Sequence, residues 1–236
     1  MTTPQLPLGL KFPAHQRFDE FHAGDQNVAA VASVALATKD RGAPWVFVSG
    51  PEGSGKTHLL IAACQDAGDA RAQYLPLAAL GAGAEAALSA LDDFDLVCFD
   101  DVHAIAGNRA LEVGLFDAFN RGRARGATLL FAAKQPPARL PLDLPDLASR
   151  LASCVQAALR PLDEETRRHV LRERARARGV ELDDAVLDFL FRRHSRDLGS
   201  LFELLDRLDR ESLAQQRRVT VPFLRRIIGL PSREPE

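Results

Sequence analysis

The sequence predicts an α/β fold, in which a parallel sheet flanked by helices is followed by a small all-helical lid domain. Three observations lead to this prediction. A phosphate-binding loop follows an apolar strand, apolar segments then alternate with helical ones to about residue 160, and only helical patterns follow from Pro161 onward. With 236 residues, 46% of them apolar, the chain can build one large domain and one small one.

The first element is a strand at residues 45–49 that runs into a complete G-x-x-x-x-G-K-[ST] loop. Its glycines let backbone N–H groups approach a phosphate, and the helix that follows points its positive end at the same anion. The predicted nucleotide-binding residues of this loop are Gly50, Pro51, Glu52, Gly53, Ser54, Gly55, Lys56, Thr57 and His58. Lys56 would neutralise the β- and γ-phosphates of ADP or ATP, and Thr57 would bind Mg²⁺. The alternative, a plain glycine-rich turn, is disfavoured by the flanking strand and apolar helix.

Further strands are predicted at residues 73–77, 95–100, 127–133 and 155–159. Because helical intervals separate them, the sheet should be parallel and covered on both faces. One intervening helix is clearly marked, since Asn108 can cap its start and Gly126 follows its end. Its inner face should carry Leu111, Leu115 and Phe119.

The carboxy-terminal part is predicted to be helical throughout. Asp163 can cap a helix that stops at Gly179, and further helices are expected at about 183–191, 196–213 and 220–230. The arginines at 172, 174, 176 and 178 suit the negative end of the first of these helices, and interleaved acids favour a solvated helix face over a DNA-binding one. The predicted domains are a tail (1–14), an α/β domain (15–160), a helical lid (161–230) and a disordered tail (231–236).

Composition narrows the class of protein. A net charge of −2 gives no overall attraction to nucleic acid or membrane, so any DNA association is expected to come through a partner. No apolar run approaches the roughly 18 residues that span a bilayer, and the amino terminus lacks the features of a signal peptide, so a cytoplasmic protein without a membrane partner is expected. Cys64, Cys98 and Cys154 lie in apolar stretches and are expected to be buried free thiols.

Two acids, Asp100 and Asp101, stand at the end of the strand predicted at residues 95–100. Asp100 is placed to hold the Mg²⁺ water shell together with Thr57, and Asp101 to orient an attacking water. Glutamate is the more usual residue in the second role, so slow hydrolysis is expected. The alternative is that both acids simply end a strand at a solvated turn.

Arg150 precedes the last strand at the domain edge. An arginine there could reach the γ-phosphate of a neighbouring subunit and stabilise transition-state charge, which leaves self-association open. The alternative is a solvated arginine, or one paired with Asp146.

The amino-terminal segment Gln5-Leu6-Pro-Leu8-Gly-Leu10 carries a polar anchor and three leucines, while its proline and glycine oppose a helix. Extended apolar anchors suit docking into the groove of another protein. The alternative, leucines that pack on the protein's own surface, is equally compatible with this spacing.

Taken together, these motifs resemble the DnaA/Hda family of AAA+ proteins, and within it the Hda regulators, over essentially the whole chain. Gln5, Leu6, Leu8 and Leu10 are similar to that family's sliding-clamp-binding motif. Residues 17–21 and Asn27 match a segment that lies beside the adenine in the related initiator. Residues 144–151 resemble the family's box VII, which makes Arg150 an arginine finger acting in trans.

The resemblance implies a regulator of chromosome replication initiation. Such a protein, bound to ADP and held on the β subunit clamp of DNA polymerase III, stimulates hydrolysis of DnaA-bound ATP and prevents re-initiation. It would meet DNA, and hence the nucleoid, through the clamp, and its own ATPase would be weak. The chain ends soon after the lid, so we expect no DNA-binding domain of the initiator type. An autonomous helicase-loader-like ATPase, or a scaffold that holds ADP as a structural cofactor, are the alternatives.

The chain departs from the family pattern at two positions. Lys134 stands where relatives have the sensor 1 acid, and Gly199 stands where the lid usually presents the sensor 2 arginine. Arg196 lies three residues before Gly199 and could reach the same side of the helix, or be solvated. Altered nucleotide sensing is therefore expected.

Overall fold

The computed structural model describes residues 12, 16–193, 198–215 and 220–229, with the backbone alone for 212–215. The chain forms two compact units that separate after Pro161. Among the described residues, no helix has the length and apolar character needed to cross a membrane. Cys98 and Cys154 are buried free thiols, and Cys64 is a partly buried one.

The first unit contains a five-stranded sheet. Its strands are β1 (Val46–Ser49), β2 (Ala72–Pro76), β3 (Leu96–Asp100), β4 (Thr128–Ala133) and β5 (Val155–Ala158). They are parallel and lie in the order β2-β3-β4-β1-β5. Because β1 lies between β4 and β5, the carboxyl ends of strands that are distant in sequence meet at one edge, where open α/β sheets bind ligands. This arrangement confirms the predicted α/β fold.

Helices cover the sheet on both faces. They are α1 (Val28–Lys39), α2 (Lys56–Gln65), α3 (Leu77–Leu80), α4 (Ala84–Ser89), α5 (Arg109–Arg125) and α6 (Pro145–Ala152). Short 3-10 turns lie at Phe18–Glu20, Asp25–Asn27, Gly81–Gly83, Val102–Ile105 and Pro137–Arg139.

Alternate residues of each strand enter two different cores. On one face the rings of Phe47 and Phe99 stack on Phe131, with centroids 6.4 and 5.2 Å away, and α4, α5 and α6 complete that core. On the other face Val48 and Leu130 pack with residues of α1 and α2. Burial on both faces explains why the strands read as continuous apolar runs.

The predicted limits of α5 are confirmed. The Asn108 side chain accepts a hydrogen bond from the Leu111 N–H at 3.3 Å, and Gly126 ends the helix with a φ of 69°. Helix α1 is not among the predicted elements. Its sequence is apolar almost throughout and shows no polar face, although Ala30, Val34 and Ala37 are the residues it buries.

The second unit is helical throughout its described residues. It contains α7 (Glu164–Ala177), α8 (Asp184–Arg193), α9 (Leu198–Gln215) and α10 (Val221–Ile227) around an apolar core of its own. The Asp163 carboxylate caps α7 by accepting a hydrogen bond from the Thr166 N–H at 2.7 Å, as predicted. Gly179, with a φ of 73°, follows the end of α7.

The arginines of α7 have partners within this unit. Arg172 pairs with Asp184, Arg176 with Glu173, and Arg178 with Asp206. The Arg174 guanidinium lies 4.2 Å from the centroid of the Phe202 ring. These contacts compensate the charge of α7 inside the lid, which agrees with a structural role for its arginines.

Candidate functional site

The phosphate-binding loop connects the carboxyl end of β1 to the first turn of α2. A Cβ atom at Gly50 would lie 2.5 Å from the Leu159 carbonyl oxygen, so only glycine fits there. Gly53 and Gly55 have φ values of 74° and 96°, which L side chains rarely adopt. The glycines of the motif are therefore required by backbone shape and by close packing.

A lead-in segment, residues 16–27, packs against this loop. A Cβ atom at Gly55 would lie 2.5 Å from the Phe21 ring. That ring packs edge-on against the His58 ring, with the ring centroids 5.2 Å apart. The His58 Nε2 atom lies 2.9 Å from the Arg17 carbonyl oxygen. The predicted nucleotide residue His58 is thus positioned with its ring toward the lead-in segment.

Two buried polar groups in the loop suit a phosphate. Lys56 is 7% exposed and donates to the Pro51 carbonyl oxygen at 2.8 Å, and an ammonium has further N–H groups for an anion. Burial lowers the pKa of Lys56, against the charges of Asp100 and Asp101, which raise it. The Ser54 hydroxyl is buried and has no hydrogen-bond partner among the described residues. A bound phosphate would satisfy both groups.

The Asp100 carboxylate is held from three sides. Its Oδ2 atom accepts hydrogen bonds from the Thr57 hydroxyl at 2.6 Å and the Tyr74 hydroxyl at 2.8 Å, and its Oδ1 atom accepts one from the Asp101 N–H at 2.9 Å. Asp100 is 1% exposed. The structure therefore brings the two predicted metal residues, Thr57 and Asp100, into direct contact.

Tyr74 is a further residue of this site. It lies on β2, beside β3, and its position gives no motif by which it could be found. Burial, followed by the charge of Asp100, raises the pKa of Tyr74, so its phenol is a neutral donor.

Thr57 and Asp100 offer oxygen atoms, which is the ligand type that magnesium prefers. Within residues 12, 16–193, 198–215 and 220–229, no group of three or more His, Cys, Asp or Glu side chains could hold a metal ion. A magnesium ion beside Thr57 and Asp100 would thus take its other ligands from phosphate and water, as is usual for magnesium with nucleotides.

Asp101 is the one non-glycine residue with a positive φ, 55°, in the described part of the chain. Burial, followed by the charge of Asp100, raises the pKa of Asp101. Its Oδ1 atom lies 3.9 Å from the Nδ1 atom of His103. His103, like Tyr74, belongs to no sequence motif. A strained backbone at an acid beside the phosphate loop is the kind of feature that clusters at functional sites.

Lys134 follows β4 on the neighbouring strand. Its Nζ atom lies 3.8 Å from the Glu52 carboxylate in the loop, and both side chains are exposed. A positive group thus stands at the mouth of the loop, where the family resemblance leads one to expect an acid.

The Asn27 side chain makes an unexpected contact. Its amide nitrogen donates to the Arg160 carbonyl oxygen and its amide oxygen accepts from the Arg160 N–H, both at 2.8 Å. Asn27 is 1% exposed. The predicted nucleotide residue is therefore bonded to the backbone at the exit from β5, and a direct contact with a base would compete with these bonds.

Arg150 lies in the last turn of α6. Within the described residues, no carboxylate pairs with the Arg150 guanidinium. The alternative pair with Asp146 is therefore not formed there. The start of α6 is tied down by Glu112, a fully buried residue of α5 that accepts hydrogen bonds from the N–H groups of Asp143 and Leu144. Arg150 thus lies on a helix whose beginning is fixed.

Some predicted residues cannot be placed. Gln5, Leu6, Leu8, Leu10 and Arg196 lie outside the described residues. Gly199 lies in the first turn of α9.

A parallel sheet with this strand order, a phosphate loop after β1, an acid at the end of β3 and a second, helical unit together make up the AAA+ fold. Domain III of the replication initiation protein DnaA from Thermotoga maritima shares the fold, with a TM-score of 0.74 and 23% identity over 92% of this chain and 97% of that one. AMPPCP-bound DnaA from Aquifex aeolicus matches with a TM-score of 0.66 and 21% identity over 86% of this chain and 70% of that one. The Thermotoga maritima RuvB Holliday junction branch migration motor matches with a TM-score of 0.62 and 20% identity over 91% of this chain and 71% of that one.

The family model of the Hda lid domain matches residues 163–228. The chain thus carries a carboxy-terminal unit similar to the Hda lid domain and a core that shares the fold of DnaA domain III.

Proposed function

We propose that the protein is an Hda-like regulator of chromosome replication initiation, which stimulates hydrolysis of DnaA-bound ATP and so inactivates the initiator. The observation that carries this proposal is the Hda lid match at residues 163–228, on a core that shares its fold with DnaA domain III. The Hda lid sets this chain apart from a general AAA+ motor.

The phosphate loop would hold a nucleotide, ADP in the regulatory state, and Thr57 and Asp100 would hold its Mg²⁺. This part of the proposal is supported by the buried Lys56 ammonium, by the Ser54 hydroxyl, which has no partner among the described residues, and by the Thr57 to Asp100 contact. A DnaA with the same fold binds AMPPCP. The nucleotide would set the shape of the regulator, and hydrolysis of bound ATP, in which Asp101 would orient the attacking water, would be slow.

Arg150 acts in trans, on the ATP of DnaA. Support comes from its position at the end of α6 and from the lack of a carboxylate partner among the described residues. A guanidinium held on a fixed helix can stabilise the charge that develops on a transferred phosphoryl group, an effect worth about 10³- to 10⁵-fold in rate. Self-association through the same arginine would place it on a second copy of this chain.

The segment with Gln5, Leu6, Leu8 and Leu10 binds the β subunit clamp of DNA polymerase III. The protein would then reach DNA, and the nucleoid within the cytoplasm, through the clamp. Extended segments with apolar anchors bind grooves in this manner.

The test is hydrolysis of DnaA-bound ATP in the presence of DNA-loaded clamp. Arg150→Ala should lower the stimulated rate to that of DnaA alone. Gln5→Ala combined with Leu8→Ala should lower it in the same way in the assay that depends on DNA-loaded clamp. Arg139→Ala is the control, because Arg139 is an exposed arginine that lies before α6 in the 3-10 turn Pro137–Arg139, whereas Arg150 is half-buried. Undiminished stimulation by both test variants would overturn the proposal.

An autonomous ATPase is the second candidate. The complete loop and the assembled Thr57, Asp100 and Asp101 group favour it. In that case Lys56→Ala should abolish ATP hydrolysis by this protein. Single-stranded DNA or a helicase should accelerate ATP hydrolysis by the wild type. Turnover that stays slow with both additions would reject this candidate and leave the regulator.

A further inference from the structure

Tyr74, the single tyrosine of the chain, reaches the carboxylate at the centre of the nucleotide site. Its side chain is almost fully buried, with 9% of the residue exposed. Its hydroxyl donates to the Asp100 Oδ2 atom at 2.8 Å, the atom that also accepts from Thr57 at 2.6 Å.

The sheet register explains how Tyr74 reaches this position. In the parallel pair β2 and β3, Tyr74 lies beside Cys98 and Pro76 lies beside Asp100, so the tyrosine lies two residues before the level of the acid. Side chains two residues apart on neighbouring strands share one face of the sheet, and a ring with a hydroxyl can bridge that distance. The Phe12 ring packs edge-on against the Tyr74 ring, with centroids 6.1 Å apart, and restrains it.

These contacts decide which carboxylate oxygen is left for a metal. Each oxygen of a carboxylate can accept about two hydrogen bonds. Thr57 and Tyr74 occupy Oδ2, whereas Oδ1 accepts one bond, from the Asp101 N–H. Oδ1 therefore keeps an acceptor site for a metal-bound water, and the Thr57 oxygen, with its proton directed to Oδ2, keeps its lone pairs for the metal itself.

We propose that Tyr74 is a positioning residue of the magnesium site, which orients the Asp100 carboxylate by saturating Oδ2. The inference rests on the proposed nucleotide function. Without the tyrosine hydroxyl, Oδ2 regains an acceptor site and the carboxylate can rotate. Magnesium affinity then falls while the contacts of the loop with phosphate stay as they are.

The first experiment measures binding of ADP to the full chain, once as a Mg²⁺ titration and once in EDTA. Tyr74→Phe keeps the ring and removes the hydroxyl. Loss of an outer partner of a metal ligand commonly costs about 10- to 100-fold in metal affinity, so the Mg²⁺ midpoint should rise about tenfold or more. The ADP affinity in EDTA should not change, which a general loss of structure would not allow.

Thr38→Val is the matched control. The Thr38 hydroxyl donates to the Val34 carbonyl oxygen at 2.8 Å within α1, so this variant also loses one side-chain hydrogen bond. Its Mg²⁺ midpoint should equal that of the wild type. Phe12→Leu, which weakens the packing on Tyr74, should raise the midpoint by less than Tyr74→Phe does.

A second readout does not depend on affinity. Protein labelled with ¹³C-tyrosine has the ring signals of one residue, since the chain contains one tyrosine. Adding Mg²⁺ to the ADP complex should shift these signals, because the metal polarises the carboxylate to which the phenol donates. Signals that stay in place at saturating Mg²⁺ would overturn the inference.

The outcomes separate this inference from the function on which it rests. If the wild type binds neither ADP nor ATP, the nucleotide function and the positioning role of Tyr74 are both rejected. If the wild type binds ADP with a Mg²⁺ midpoint that Tyr74→Phe shares, the positioning role alone is rejected and the nucleotide function stands.

Discussion

The Glu112 carboxylate accepts a hydrogen bond from the Leu144 backbone N–H at 2.7 Å, and this contact joins the first turn of α5 to the residue that precedes α6. The same carboxylate accepts from the N–H groups of Gly107 and Asp143 at 2.8 and 3.1 Å. One fully buried side chain thus anchors the loops on both sides of it. Arg150 lies on the helix that begins there.

Glu112→Gln should destabilise the protein. A glutamine has the same shape, but its NH₂ group would face at least one of the three N–H groups that now meet the carboxylate. A buried donor left unsatisfied costs about 1–3 kcal/mol, which urea unfolding can measure. Hydrogen exchange at residues 143–152 should also become faster.

The matched control is Glu85→Gln, because Glu85 is an exposed residue of α4. It should change neither stability nor exchange. If Glu112→Gln leaves exchange at residues 143–152 unchanged, the carboxylate does not tether α6. If exchange rises, the tether stands, and the change in stimulated hydrolysis of DnaA-bound ATP then measures how far Arg150 depends on it.

Asn27→Asp should loosen the point where the chain leaves β5. The asparagine amide donates to the Arg160 carbonyl and accepts from its N–H, whereas an aspartate can only accept. A buried carboxylate would then face a carbonyl oxygen, so stability should fall by more than about 1 kcal/mol. Faster exchange of the Arg160 amide would locate the change.

Gln26→Glu is the control for this variant, since it introduces the same charge at an exposed neighbouring position. It should have little effect on stability or on the Arg160 amide. Equal behaviour of the two variants would mean that the Asn27 contact does not hold this part of the chain.

Local patterns in the sequence predict a large part of this molecule. The phosphate loop, the Asn108 cap and the Asp163 cap each depend on residues within a few positions of one another, and the structure has both caps as expected. The site contacts that the sequence analysis misses join distant residues: Tyr74 to Asp100 across 26 positions, Glu112 to Leu144 across 32, and Asn27 to Arg160 across 133. Such contacts depend on sheet register and helix packing, which no local pattern contains.

Asp163 should make the stability of the lid depend on pH. The hydrogen bond from the Thr166 N–H lowers the pKa of Asp163 in the folded protein. A lowered folded pKa adds stability above the unfolded pKa of about 3.9, and this stability is lost as pH falls through the folded value. Asp163→Asn keeps a good helix cap but cannot titrate.

The measurement compares urea midpoints of the wild type and Asp163→Asn at pH 7 and at successively lower pH. The difference between the two proteins in favour of the wild type should be constant at neutral pH and shrink below about pH 4. Asp69→Asn, at an exposed site outside the lid, is the control. A difference that does not change with pH would show that the Asp163 charge does not stabilise α7.

Lys134→Gln should weaken nucleotide binding. The Lys134 ammonium stands at the mouth of the phosphate loop, 3.8 Å from Glu52, and its charge acts on Lys56 and Asp101. Two unit charges a few ångströms apart at an exposed site interact by about 1 kcal/mol, so ADP affinity should fall about fivefold. The loss should shrink at high salt, because exposed charges are screened.

Lys39→Gln is the matched control, since Lys39 is also exposed and lies 3.9 Å from Asp66 on a different part of the first unit. Equal ADP affinities for the wild type and Lys134→Gln at low salt would mean that Lys134 does not face the phosphates.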